Sequence, residues 1–280
     1  MTTANPSAHR QAVVQRVADA VWQACAQQQP LAPFGDELDS LGIDAAYDAA
    51  RLLRQRRQGA GCQVLGRKIG FTNRAIWPVY GVYQPIWGAV DSATVQVSDH
   101  AKVTRSLAGL LEPRIEPELM LHLARTPAPG ADAQALLRDV DAVAHGFEIV
   151  QSPFPQWRFG TADAVASGSL HGALLMGPAV ALSALGPDPM RALVEFGLTL
   201  CRNGSEVDRG RGANVLDGPL QALAHLHQSL AARPADEQLR AGEWISTGTL
   251  TAAWPVAAGE TWTTTLGGLP LPGFTLELTA

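Results

Sequence analysis

Two glutamates two positions apart open the chemistry of this chain. In Arg114-Ile115-Glu116-Pro117-Glu118-Leu119-Met120-Leu121, read as a β-strand, alternate side chains share a face: Glu116, Glu118 and Met120 on one, Ile115, Leu119 and Leu121 on the other. Paired carboxylates with a large apolar residue on their own face fit a hard-metal site better than a plain solvated face. The plain alternative is the wet side of an antiparallel sheet, with Pro117 marking an edge strand or a bulge. A third carboxylate, Glu148, lies in the largely apolar run Val140–Val150, where an unpaired charge is costly. A salt bridge is the competing explanation there. With no neighbouring Cys or paired His, Glu116, Glu118 and Glu148 suit Mg²⁺ or Mn²⁺ rather than zinc. Three ligands on an octahedral ion leave room for water and for a 2-oxo acid, whose carbonyl the ion would polarise towards an enolate.

Lys68 shares a strand face with Val64, Gly66 and Gly70, which leaves open space around its ammonium group; a solubilising charge on a strand edge is the simpler reading. Beside a metal, such a lysine serves to hold a substrate carboxylate or to transfer a proton. The irregular, aromatic stretch Asn73–Gly88 is either a lid or a packed surface loop. Trp77, Tyr80, Trp87 and Trp157 either shape a pocket or pack.

The elements that must position these groups follow from periodicity. Helices are expected over Gln11–Gln28, Asp44–Gln58, Ala133–Asp139 and Pro219–Leu230, the last with Pro in its first turn. Strands are expected over Cys62–Phe71, Ala93–Val97, Ala173–Met176, Ala192–Arg202, Glu206–Arg211, Glu243–Thr249, Glu260–Leu266 and Phe274–Leu278, with Asn203-Gly204 as a hairpin turn. Pro153–Gly172 reads as loop. The whole is an α+β protein: a small N-terminal helical unit over 1–60, then a β-rich roll or sandwich over 61–280 as catalytic domain.

A formal net charge of −5 over 280 residues gives no drive towards nucleic acid or anionic membrane, and the basic run Arg51–Arg57 reads as a solvated helix face. Gly210-Arg211-Gly212 lacks the third glycine of a dinucleotide-binding turn. His225 and His227, two apart on a helix, are a poor metal pair. Three widely spaced cysteines without a CxxC pair read as thiols of a reducing compartment. The polar N-terminus shows no secretory signal and no apolar run reaches membrane length, so a cytoplasmic protein is expected.

In order along the chain, Gly66-Arg67-Lys68-Ile69-Gly70-Phe71-Thr72, Gly81 to Gly88, Arg114-Ile115-Glu116-Pro117-Glu118, Phe147-Glu148-Ile149-Val150, Trp157 with Asp163, Asn203-Gly204, Gly210 to Pro219 and Leu239 to Gly248 occur together. In this joint order the chain resembles the 2-keto-4-pentenoate hydratase and 4-oxalocrotonate decarboxylase branch of the fumarylacetoacetate hydrolase superfamily. The resemblance implies a homo-oligomeric enzyme with a β-rich roll, Mg²⁺ or Mn²⁺ on Glu116, Glu118 and Glu148, and Lys68 and Asp163 as catalytic residues. Thr72, Trp87 and Thr249 become candidates for substrate contact. The implied reaction is that of a hydro-lyase of aromatic-compound catabolism, adding water to a 2-hydroxy-2,4-dienoate to give a 4-hydroxy-2-oxo acid. Decarboxylation of a 4-oxalocrotonate-type acid is the alternative. Where the family commonly has Ala-Asp-Asn after the Asp, this chain has Ala166-Ser167-Gly168, and His171 is a candidate to supply a polar group as acid or base. A C–C hydrolase ranks lower: between Phe71 and Leu110 there is only His100 and no Glu, and in the pair His145/Glu148 the glutamate is already assigned to metal. A non-catalytic metal-stabilised scaffold leaves Lys68 unexplained.

Overall fold

Val13, Val17 and Val21, all buried, make one face of helix α1 (Pro6–Gln27). After the short α2 (Asp36–Asp39), helix α3 (Ile43–Gly59) packs on α1 and ends in Arg56 and Arg57, cations suited to a helix C-terminus. The computed structural model describes residues 6–74, 77–80 and 82–280, and of Pro6, Val79 and Tyr80 the backbone only. Strand β1 (Val64–Gly70), helix α4 (Trp77–Tyr80) and strands β2 (Ile86–Asp91), β3 (Val95–Val97), β4 (Lys102–Ser106) and β5 (Arg114–Leu123) follow. Next come α5 (Ala133–Leu137), β6 (Val140–Val150), α6 (Thr161–Ala166), β7 (His171–Met176), β8 (Val180–Ala181) and α7 (Pro189–Glu195). The chain closes with β9 (Gly197–Arg202), β10 (Ser205–Arg211), α8 (Pro219–Leu230), β11 (Trp244–Thr249), β12 (Trp254–Pro255), β13 (Thr261–Gly267) and β14 (Thr275–Thr279).

The larger sheet runs β2-β1-β11-β5-β6-β7-β3, with β12 on β5 and β8 on β6; the smaller runs β10-β9-β13-β14-β4. The larger sheet curls until β2 lies against β7. Its convex face carries Ile115, Leu119, Leu121, Phe147 and Ile149 into the main core, where Phe147 meets Phe274 beside the smaller sheet and α1 and α3 contribute to the same cluster. Its concave face holds a separate apolar cluster of Val90, Met120, Ala144, Leu174 and Met176. Strands approach closely here: a Cβ on Gly146 would lie 1.9 Å from the Leu175 carbonyl oxygen. Glycine at this position lets the sheet curl tightly.

The α+β, β-rich roll is as expected, and Asn203-Gly204 forms a two-residue hairpin with φ +50° and +81°. Other expectations need correcting. Ala192–Glu195 is the end of α7 rather than strand, because Asp188 caps that helix by accepting from the Arg191 amide and Pro189 starts it. Pro153–Gly172 contains α6. Asn73–Gly88 ends in β2, while residues 75, 76 and 81 of that stretch lie outside the described residues. Arg51, Arg54, Arg56 and Arg57 are no mere solvated face, for they pair with Asp236, Glu237, Asp19 and Asp91. Pro117 marks no edge, since β5 is the middle strand of its sheet. Its carbonyl accepts from Leu250, so its nitrogen faces β11, whose register shifts between Ser246 and Thr249. The bulge belongs to the neighbour. Among the described residues no helix is long and apolar enough to cross a membrane.

Candidate metal centre

Antiparallel pairing sets Glu116 directly opposite Glu148, and Glu118 follows two residues along β5 on the same concave face. Each of the three offers a carboxylate oxygen within 4.8 Å of the others. Glu118 and Glu148 are fully buried and Glu116 is partly accessible. Lys68 reaches the group from β1, its Nζ 3.3 Å from Glu148 Oε2, and donates to the Ser169 carbonyl at 3.0 Å. His171 Nδ1 bonds Glu148 Oε1 at 2.8 Å, and its Nε2 bonds Thr94 Oγ1 at 2.9 Å. Glu118 Oε2 accepts from Ser246 Oγ at 2.5 Å and from the Gly248 amide at 2.9 Å. The β11 bulge thus fixes one ligand candidate. It also brings Thr72 in: a Cβ on Gly248, whose φ is +107°, would lie 1.8 Å from Thr72 Oγ1.

Three carboxylates face one ammonium, so ionising all three would leave an excess of two negative charges. Burial pushes Glu116 up to about 7, with Lys68 opposing and the Glu148 charge adding. Burial, then the charges of Glu148 and Glu116, hold Glu118 well above the usual carboxylate range. Burial works against ionised Glu148 too, but Lys68 and His171 prevail and its pKa falls. Lys68 is disfavoured as a cation by burial, yet Glu148, Glu116 and Glu118 outweigh this and raise it. Glu118 Oε1 is buried without a hydrogen-bond partner among the described residues, and Glu148 Oε2 has only the Lys68 ammonium at 3.3 Å. Buried carboxylate oxygens short of partners and of countercharge fit a divalent cation, which supplies both.

A small cavity of ≈ 50 Å³ opens on this group, lined by Lys68, Thr72, Glu116, Thr249, Trp157 and Phe159 among others. Of the residues singled out in the sequence, Lys68, Thr72, Glu116 and Thr249 therefore meet there, with Glu118 and Glu148 buried behind. The Thr72 hydroxyl is buried and has no partner, whereas that of Thr249 donates to the Thr251 carbonyl. Trp87 is not brought in: Lys68 pairs across β1–β2 with Gly88, so Trp87 points to the other face and stacks on Tyr47 at 4.8 Å. Nor is Asp163, whose oxygens accept from the Gly160 amide at the start of α6 and from the Phe34 amide, both at 2.8 Å. His145 faces the convex side, bonded to the Glu118 carbonyl and Thr264, and burial lowers it to about 4; it forms no dyad with Glu148. Trp157 lines the cavity, Trp77 donates to the Phe71 carbonyl, and the Tyr80 side chain lies outside the described residues.

Ser246, Gly248, Ser169 and Thr94 were not legible as site residues. Ser246 and Gly248 lie in a Ser-Thr-Gly run that ends a strand, which hints at a bulge; the others carry no signal.

The fumarylacetoacetate (FAA) hydrolase C-terminal family model matches residues 85–272. The chain is 31% identical to the 2-keto-4-pentenoate hydratase of Paraburkholderia xenovorans (strain LB400), covering 91% of each chain. It is 33% identical to the 4-oxalocrotonate decarboxylase of Pseudomonas sp. (strain CF600), over 80% of this chain and 81% of that one. Among solved structures, the 4-oxalocrotonate decarboxylase from Pseudomonas putida G7, complexed with magnesium and adipate, superposes with a TM-score of 0.85 at 26% identity, covering 96% of this chain and 98% of that one.

Proposed function

The chain belongs to the fumarylacetoacetate hydrolase family, and within it we propose that it is a divalent-metal-dependent hydratase, converting a 2-hydroxy-2,4-dienoate into a 4-hydroxy-2-oxo acid. The observation that carries this reading is the wall of the cavity away from the carboxylates. Ile86, Val150, Trp157, Phe159 and Leu170 make it apolar, and among the described lining residues Lys68 is the sole cation. An unsaturated hydrocarbon tail fits such a wall; the second carboxylate of 4-oxalocrotonate would be left without a partner.

Glu116, Glu118 and Glu148 would hold the cation, Mg²⁺ or Mn²⁺ by their all-oxygen chemistry. When bound, it supplies Lewis acidity to the 2-hydroxy or 2-oxo carboxylate end of the substrate. Thr72 Oγ1 is free to hydrogen-bond that end. Lys68, fixed by the Ser169 carbonyl and Glu148, is the proton carrier: its ammonium gives a proton to the terminal carbon of the dienol, the enol hydroxyl proton released as the ketone forms restores the ammonium, and water adds across the resulting enone, its hydroxyl to C4 and its other hydrogen, as a proton, to C3. His171 approaches Glu148 from behind and does not line the cavity, so it serves as a positioning residue for that ligand. Asp163 acts through the fold, tying α6 to the segment before α2. Cytoplasmic location and assembly into a homo-oligomer belong to the same reading.

One observation favours the decarboxylase alternative: the Arg114 guanidinium sits 4.2 Å over the Trp157 ring, behind the cavity wall. An ultraviolet time course with Mg²⁺, offering 2-hydroxypenta-2,4-dienoate and 4-oxalocrotonate separately with product masses read, separates the two. Gain of one water supports the hydratase; loss of CO₂ with the dienoate untouched overturns it.

A further inference from the structure

A second cavity, ≈ 320 Å³, lies outside the roll between α1, α3, β2 and the Ser167–Gly172 turn. This volume suits a small organic ligand. Tyr47 and Trp87, stacked with an interplanar angle of 14°, give it a flat aromatic wall, and Trp22, 37% exposed, stands among its lining residues. Its charged groups are already paired: Arg57 forks onto both oxygens of Asp91, Arg51 and Arg54 bind Asp236, and Glu237 pairs with Arg54 and Arg233. An ionic ligand would arrive without a countercharge, whereas a flat neutral ring would not. Ser167, whose hydroxyl hydrogen goes to the Ala164 carbonyl at 2.9 Å, retains acceptor capacity for a ligand hydroxyl.

One wall of this cavity is the back of the metal centre. His171 lines it while bonding Glu148. Beside it, Gly168, Ser169 and Leu170 all have left-handed backbones, with φ +79°, +58° and +62°. Such a run is strained for Ser169 and Leu170, and it aims the Ser169 carbonyl at Lys68. Gly88 makes room for the turn, since a Cβ there would lie 2.6 Å from the Gly168 carbonyl oxygen. A ligand in the outer cavity therefore touches His171, which holds Glu148, and Gly168, the neighbour of the residue whose carbonyl holds Lys68.

We propose that the outer cavity is a second ligand site for a small, uncharged, hydroxylated aromatic compound of the phenol class, and that its occupancy tightens divalent-cation binding through His171 and the Gly168–Leu170 turn. The coupling rests on the reading of Glu148 as a metal ligand; the site itself does not. Linkage requires the effect to be reciprocal.

The test is calorimetric titration of the full chain with phenol, with benzoate as the charged control, followed by Mg²⁺ titration with and without saturating phenol. Phenol is expected to saturate, benzoate to bind about tenfold more weakly for want of a countercharge, and the Kd for Mg²⁺ to fall by about threefold or more in phenol. Ala50→Phe, which fills the cavity away from the roll, should abolish phenol binding and leave the Mg²⁺ affinity of the phenol-free protein unchanged. His171→Ala should keep phenol binding and lose the coupling. Absence of saturation at phenol concentrations on the order of 10 mM, equal binding of benzoate, or phenol binding that survives Ala50→Phe overturns the site. An Mg²⁺ affinity indifferent to phenol overturns the coupling. If Mg²⁺ itself fails to bind, the metal reading falls and the coupling with it, while the phenol titration still decides the second site.

Discussion

Arg67 and Lys68 are neighbours on one strand, both 2% exposed, and point into two charge clusters of opposite character, the first partly exposed and the second buried. On the convex side Arg67 lies 3.4 Å from Glu243, in a network where Arg51, Arg54 and Arg233 meet Asp236, Glu237 and Asp48. Cations and anions there match one for one. On the concave side Lys68, with His171 on Glu148, faces Glu116, Glu118 and Glu148. A balanced, partly buried network stabilises a fold only modestly but is costly to break at its buried members; an unbalanced buried one is unfavourable as it stands and calls for an ion. Burial alone does not separate structural from chemical charges. The charge balance does.

The comparison can be broken from either side. The largest effect is expected at the metal: Glu148→Gln should lower Mg²⁺ affinity by about 100-fold or more, since a neutral amide is a poor ligand for a hard cation, and abolish turnover with the circular dichroism of the parent retained. Parent-like Mg²⁺ binding in this variant would remove Glu148 from the ligand set. Lys68→Ala comes next, losing roughly 10²–10⁴-fold in kcat while still binding Mg²⁺ in calorimetry; unchanged kcat would exclude Lys68 from proton transfer.

Stability should then respond with opposite signs on the two faces. Arg67→Met leaves Glu243 buried without its partner and should cost about 3 kcal/mol in urea unfolding, with the Mg²⁺ Kd unaltered. Glu118→Gln should instead raise the melting temperature of the metal-free protein at pH 8. There the unfolded chain ionises Glu118 freely, whereas the fold, by raising its pKa, resists that ionisation. A lower melting temperature for this variant would mean that the concave cluster is balanced after all.

The smallest effect is the pH dependence. Glu116 normally titrates near 4.5 and is raised to about 7 in the fold. Its contribution to stability is therefore fully present below pH 4.5 and is lost as pH rises through about 7. Metal-free protein should lose stability across that window. Mg²⁺, which requires the ionised carboxylates, should give a thermal shift that grows across it. A shift independent of pH would contradict the raised pKa.

Much of this arrangement was legible from chain pattern because strand alternation is a local rule. Glu116, Glu118 and Met120 share the concave face as read, and Glu148 stood out because a charge in an apolar strand must be compensated. What local rules do not carry is register and loop path. Trp87 and Lys68 face opposite sides because of how β1 meets β2, and no spacing within either strand reveals that. Asp163 is a common type of helix-start residue, and its amide partners, one of them Phe34, are distant or set by backbone path. Pro117 reads as an edge residue until the bulge of a strand more than a hundred residues later is seen opposite it. Ser169 holds Lys68 through a carbonyl, which every residue possesses.

The apolar cluster on the concave face has a consequence for traffic. Met120, Ala144 and Leu174 are completely buried and Met176 nearly so, so the roll is stoppered just beyond Glu118 and its interior is a cul-de-sac. Among the described residues, the cavity lined by Glu116 is the opening that reaches the carboxylates. On the reading of Glu116, Glu118 and Glu148 as ligands, a cation would have to enter before the substrate that rests on it, and product would have to leave before the next molecule enters. Ordered arrival, and competition between product and substrate for one doorway, would then follow from the packing of the stopper.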